Sequence, residues 1–201
     1  MENKFGFVSL SGRTNVGKST LLNAFFQKKI AITSRKPQTT RNRILGILTE
    51  EKSQIVFLDT PGVHLGYKRQ LNKVMNKIAS HCYEEVDLVL FLIDRFKWQK
   101  EEENILKSLK NLNKPVVLVI NKIDRLRDKT KLLAFIKDIS EKFNFLSIVP
   151  ISALKKDNLM ELKSVILNNL EIGPYHFPED SLTEFSDNFF ISEIIREKAI
   201  N

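Results

Sequence analysis

Apolar residues come in short, nearly continuous runs at 5–11, 87–93, 115–120 and 145–151, rich in Val, Ile, Leu and Phe. Runs of that length and composition read as buried strands of a parallel sheet. Two further runs, 44–49 and 54–59, are separated only by Glu50-Glu51-Lys52-Ser53, and read as an antiparallel hairpin. Between the runs, apolar residues return every three or four positions at 18–26, 70–82, 100–112, 129–143 and 159–170, the period of amphipathic helices. Asp157 and Asn158 are the expected caps of the last helix. Strands alternating with helices predict an α/β fold, a six-stranded, mostly parallel sheet with helices on both faces. Ligands should then bind outside the carboxyl ends of the strands. After Leu170 the pattern breaks into a Pro- and Gly-punctuated connector at 171–180, followed by a short amphipathic helix at 190–200. The expected division is one domain over 1–170, with 171–201 a linker and the first helix of a second domain.

The chemistry sits at the expected strand ends. Gly12-Arg13-Thr14-Asn15-Val16-Gly17-Lys18-Ser19 fills G-x-x-x-x-G-K-[ST] at every fixed position, between a strand pattern and a helix pattern that continues through Thr20. Such a turn aims successive backbone N–H groups and the positive end of a helix at a polyphosphate. Lys18 supplies the point charge for the β- and γ-phosphates, and the Ser19 hydroxyl is placed for Mg²⁺.

Asp59-Thr60-Pro61-Gly62 ends the 54–59 run. A carboxylate there can hold Mg²⁺ through water, and the Gly62 N–H can reach the γ-phosphate, so the loop can sense the third phosphate. Asn121-Lys122-Ile123-Asp124 ends the 115–120 run. Its carboxylate can accept from the N1–H and 2-amino group of guanine, donors that adenine lacks, so Asp124 would stand unpaired against adenine at a cost of about 1–3 kcal/mol. Asn121 is expected to tie this loop to the phosphate loop and reach N7, and the Lys122 stem to lie along the base. Ser152-Ala153 follows the last strand run, with the Ala153 N–H a donor for guanine O6. The polar stretch 33–43 suits a loop ordered by γ-phosphate and Mg²⁺, with Thr40 preferred over Thr39 as the metal ligand. Lys18, Thr40 and Gly62 are the expected catalytic groups.

Composition narrows the partners. The chain is 42% hydrophobic and 28% charged, with no apolar run near the roughly 20 residues needed to span a bilayer and no signal-peptide layout at its start. A single cysteine, Cys82, cannot form an internal disulfide, so a reducing cytoplasm is the expected compartment. The net charge of +8 divides into +13 over residues 1–170 (30 Lys/Arg, 17 Asp/Glu) and −5 over 171–201 (2 against 7). That basic excess favours anionic partners, RNA or an acidic lipid surface met peripherally from the cytoplasmic side.

These elements in this order resemble translation-factor-type GTPases. Ser34-Arg35-Lys36-Pro37-Gln38-Thr39-Thr40-Arg41, Phe177-Pro178-Glu179-Asp180 and Ser192-Glu193-Ile194-Ile195-Arg196-Glu197-Lys198 make the chain similar, over essentially its whole length, to the Era-type family of ribosome-assembly GTPases. The resemblance implies a P-loop GTPase domain and a monomeric, slow, Mg²⁺-dependent switch cycling between GTP and GDP. Its implied partners are the 3′ end of small-subunit 16S rRNA and the 30S subunit, reached mainly through a C-terminal KH domain. A KH domain needs a G-x-x-G loop, and after Gly66 this sequence has only Gly173, so 189–201 is expected to be the first helix of that module alone. Thr14 stands where the family usually has proline, which should leave the loop's N–H donors intact.

Val63 follows Gly62, where Ras-like GTPases place a water-orienting glutamine. Similar GTPases with a hydrophobic residue here often use K⁺, held partly by the asparagine corresponding to Asn15. His64 is a weaker candidate for general base. Three rivals are set beside this reading. A P-loop ATPase or kinase is opposed by Asp124, a binding module with negligible hydrolysis is suggested by Val63, and a membrane-associated regulatory GTPase is suggested by the basic surface.

Overall fold

The computed structural model describes residues 3–27, 44–59, 86–96, 98–111, 113–126, 128 and 130–181. The readings at 28–43, 60–85 and 182–201, including Thr40, Thr60, Pro61, Gly62, Val63, His64, Cys82 and two expected helices, lie outside these residues. Among the described residues one sheet carries the fold. Its strands are β1 (Lys4–Ser11), β2 (Ile44–Glu50), β3 (Ser53–Asp59), β4 (Leu88–Asp94), β5 (Val116–Asn121), β6 (Ser147–Pro150) and β7 (Glu171–Ile172). The order is β2-β3-β1-β4-β5-β6, with β2 antiparallel to β3 and β3, β1, β4, β5 and β6 parallel. β1 is therefore the strand from which the chain winds outward in both directions, the place where open α/β sheets bind ligands.

Alternation within β4 shows why the sheet is buried on both faces. Leu88, Leu90 and Leu92 join one apolar cluster, and Val89, Phe91 and Ile93 the other, all fully buried. The first cluster is closed by Leu21, Leu22 and Phe26 of α1 (Lys18–Phe26) and by Leu159, Leu162 and Ile166 of α4 (Leu159–Asn168). Ile105, Leu106 and Leu109 of α2 (Lys100–Lys110) and Ile139 of α3 (Thr130–Ser140) close the second.

Three expectations change. The hairpin turn is tighter than the sequence suggested, because Glu50 pairs with Ser53 and only Glu51 and Lys52 are left to turn. Asn158 does precede α4, but in the left-handed conformation (φ 60°) and with no side-chain cap; its amide donates to Pro150 O at 2.9 Å. Asp157 instead pairs with Ser152 through both backbone groups, which closes the loop 152–157.

The sheet also has a seventh strand. Residues 171–172 pair antiparallel with Lys4 and Phe5 of β1, so the connector begins by docking on the sheet. It continues as a strap across the β2–β3 hairpin. The fully buried Gln54 accepts the N–H groups of His176 and Phe177, each at 3.0 Å, and donates to Phe177 O at 2.9 Å. The Tyr175 hydroxyl donates to Glu50 O at 2.8 Å, and the His176 ring stacks on Phe5 at 4.0 Å. Replacing Gln54 by leucine would leave those backbone groups without partners, so Gln54→Leu is expected to lower stability by about 1–3 kcal/mol. Urea unfolding measures that loss, and limited proteolysis should cut within 171–181 faster than in the parent; an unchanged cleavage rate would contradict this role.

Candidate nucleotide-binding site

β1 ends at Ser11 and α1 begins at Lys18, and the turn between them needs its glycines. Gly12 has φ 144°, and a Cβ there would meet Leu92 O at 2.4 Å; Gly17 has φ 106°, and a Cβ would sit 2.2 Å from Asn121 Nδ2. Any side chain at either place would drive the loop off β4 or off Asn121. The Lys18 side chain is buried (6% exposed) and folds back, its ammonium donating to Gly12 O and Arg13 O, both at 3.1 Å. Thr14 and Ser19 are half-buried, and Val16 is buried in the core.

The loop after β5 is laced to this turn. Asn121 (2% exposed) donates from Nδ2 to Val16 O at 2.8 Å. Its Oδ1 accepts the Lys122 N–H at 2.7 Å and the Ala153 N–H at 3.0 Å. The Ala153 N–H, expected as a donor to guanine O6, is thus already engaged, and a base carbonyl must share it or displace Asn121. Ser152 is fully buried and donates from Oγ to Asp124 Oδ1 at 2.6 Å, while accepting the Lys155 N–H at 3.1 Å. Ser152 therefore orients the carboxylate that would read the base. Gly17, Thr20, Asn121, Lys122, Asp124 and Leu154 line one cleft of about 270 Å³, together with Arg125. A cleft walled by an anion-binding turn on one side and a fixed carboxylate on the other fits a nucleotide.

Two features escaped the sequence reading. Lys122 does not simply lie along the cleft: its ammonium donates to Asn15 O at 2.6 Å and to Asp94 Oδ2 at 2.7 Å. Asp94, at the carboxyl end of β4, also accepts from Arg95 Nε at 2.7 Å. Burial pushes the Asp94 carboxyl up, but hydrogen bonds and charges from Lys122 and Arg95 outweigh it and hold the group below the usual carboxylate range. Asn15, Arg95 and Lys122 all take the left-handed backbone conformation, with φ of 59°, 59° and 66°. Strained residues persist where their surroundings over-determine them, and these three meet around one carboxylate. The second feature is Arg13, expected at the phosphates; its guanidinium is bound to the first turn of α2, and its carbonyl accepts from Lys18.

For Mg²⁺, Ser19 stands at the first turn of α1, and Asp59 is described only as the last residue of β3. Among the described residues no three His, Cys, Asp or Glu side chains gather to hold a metal, and no helix is long and apolar enough to cross a membrane. Mg²⁺ bound together with substrate phosphates takes few protein ligands and accepts a hydroxyl among them, so Ser19 fits the donor set of such a site.

Comparison with known proteins agrees with this geometry. The sequence profile of the 50S ribosome-binding GTPases matches residues 7–122, from β1 through Lys122. The chain belongs to this family. It is similar to GTPase Era of Haemophilus influenzae, 51% identical over 193 residues, and to GTPase Era of Yersinia enterocolitica, 48% identical. Those matches cover 96% of this chain, which spans 64% of the length of those relatives. Among solved structures it resembles Era in complex with MgGDPNP and nucleotides 1506–1542 of 16S ribosomal RNA, at a TM-score of 0.93 and 44% identity over 98% of this chain and 67% of that one. An Aquifex aeolicus Era variant bound to GDP·AlF₄⁻ matches with a TM-score of 0.92, at the same identity and coverage. The family fold, a P-loop G domain with an open, mostly parallel sheet, is thus the one the sequence predicted.

Asp94 offers a direct check on the lacing. Because its folded pKa lies below its unfolded one, it contributes stability that is fully present above the ordinary carboxylate value and is lost as pH falls through the lowered one. Asp94→Asn should therefore be less stable than the parent at neutral pH, with the gap closing below about pH 4. Thermal melts from pH 7 to pH 3 measure this; a gap that widens in acid would contradict the assignment.

Proposed function

We propose that this chain binds guanine nucleotides and hydrolyses GTP to GDP and phosphate as a molecular switch in small-subunit assembly, as expected of an Era-type protein. The observation that carries the reading is the coupling of two loops through Asn121, which sets the Asp124 carboxylate across one cleft from the Gly17–Lys18 turn. Mg²⁺, with Ser19, Thr40 and Asp59 as its protein ligands, would neutralise charge on the phosphates. Lys18 leaves the loop carbonyls to meet the β- and γ-phosphates, and the loop N–H groups receive the charge that develops there. Asp124 selects guanine by accepting two hydrogen bonds that adenine cannot offer.

Base selection is tested by affinities for GTP, GDP, ATP and xanthosine diphosphate. Asp124→Asn should weaken GDP at least tenfold and improve relative acceptance of the xanthine nucleotide; unchanged GDP affinity would remove the guanine assignment.

Val63 leaves the attacking water and the bridging oxygen without a side-chain partner, and K⁺ held partly by Asn15 would supply the missing charge. Asn15 is exposed, beside the Lys122 contact. Turnover should be faster in KCl than in NaCl at equal ionic strength, and Asn15→Gly should abolish the difference. Glycine is the better probe than alanine because this backbone is left-handed. Equal rates in the two salts would contradict a role for K⁺.

For the rRNA partner, the reading rests on the basic excess of 1–170 and on the Era complex with 16S rRNA. Sequence-selective contact is assigned to the KH region of the longer relatives. This chain should bind an rRNA 3′-end fragment weakly, with affinity falling steeply as salt rises. Tight, sequence-selective binding, or a preference for anionic vesicles, would contradict that assignment.

A further inference from the structure

The guanidinium of Arg13 is clasped by the first turn of α2. Nη1 donates to Gln99 Oε1 at 2.9 Å and to Glu101 Oε2 at 3.2 Å, and Nε forms an ion pair with Glu102. Glu102 is fully buried, and its other oxygen accepts the Gln99 N–H at 3.0 Å, half of a capping box at the start of α2. A capping box needs one carboxylate oxygen at the helix end and has no use for an arginine. Nor is a buried carboxylate–guanidinium pair a strong source of stability, since desolvation offsets most of the attraction. The pair therefore calls for another explanation.

Its place in the structure supplies one. Arg13 contributes one of the two carbonyls on which the Lys18 ammonium rests. Two residues further along the same loop, Asn15 O is held by Lys122, which is held by Asp94. Asp94 ends β4, and residues 95–99 lead from it directly to Gln99 and Glu102. Of the described residues in between, Phe96 lies against Phe135 of α3 at 5.5 Å, Trp98 against Phe91 of β4 at 6.1 Å, and the Arg95 N–H donates to Asn121 O at 3.3 Å. Residues 13–15 of the phosphate loop are thus held at both ends, Arg13 by the first turn of α2 and Asn15, through Lys122, by Asp94 at the end of β4.

We infer that Arg13 is a positioning residue, acting with Glu102 to hold the Arg13–Asn15 backbone where its N–H groups meet the phosphoryl group in transfer. This rests on the nucleotide reading above and deepens it. The base contacts of Asp124 do not involve Arg13, and Lys18 has a second carbonyl, Gly12 O, to rest on. Loss of Arg13 should accordingly weaken binding of the transition state more than binding of the diphosphate, the mark of an interaction made at the reacting end.

The test compares affinities for GDP and for GDP with fluoroaluminate, which mimics the phosphoryl group in flight, in the parent, Arg13→Ala, Glu102→Gln and the double variant. Each single variant should lose at least tenfold more affinity for the fluoroaluminate complex than for GDP. The double variant should be no worse than the poorer single one, because both changes break one contact. Arg13→Lys, which keeps the charge beside Glu102, should recover part of the loss. Equal losses for both ligands, additive losses in the double variant, or no loss in either single variant would overturn the positioning role. A parent that binds neither ligand would instead overturn the nucleotide reading on which it rests.

Discussion

Asn121 spends one carboxamide on three backbone groups from three segments: Val16 O in the phosphate loop, the Lys122 N–H in its own loop, and the Ala153 N–H after β6. Its position makes this possible. It ends β5, between β4 and β6, and the missing Cβ of Gly17 leaves the space its amide occupies. A buried amide with its groups satisfied is stable, and one with a partner removed is costly. These bonds hold the Val16, Lys122 and Ala153 segments together with no ligand bound, as the proposed recognition of a base by one carboxylate and of phosphates by backbone N–H groups requires.

Around that bond a further set of contacts works through charge. Asp94, Arg95, Lys122 and Asn15 form a chain of contacts in which three members hold strained backbone conformations. Arg13 closes the chain from the other side through α2. Such strain is tolerable only because the surrounding β4, β5 and α2 are packed into two apolar layers with fully buried side chains. The fold contributes rigidity, and the loops spend it on geometry.

How much of this was legible in the sequence follows from range. The phosphate loop and Asn121–Asp124 are contiguous motifs whose spacing is set by a single ligand, and the strands that present them are nearly continuous apolar runs. Both could be read directly. Asp94 could not, because a lone carboxylate ending an apolar run looks like an ordinary strand terminus and its partner lies 28 residues away. The partners of Arg13 are more distant still, and nothing in Gln99-Lys100-Glu101-Glu102 distinguishes an arginine clamp from an acidic helix start. β7 has two residues, too few for any period, and Gln54 reads as the polar first residue of an apolar run, although it anchors the strap that follows the domain. In each case the pattern was present, but its meaning depended on a contact made only by the folded chain.

The central claim is that Asn121 shapes the phosphate loop as well as the base site. Calorimetric binding of GDP and of inorganic pyrophosphate to the parent and to Asn121→Ala tests it most directly, because pyrophosphate carries no base. If Asn121 holds the Gly12–Lys18 turn in its binding shape, the variant should lose affinity at least tenfold for GDP and measurably for pyrophosphate as well. Pyrophosphate binding unchanged in the variant would mean that the two loops are independent, and would contradict the account.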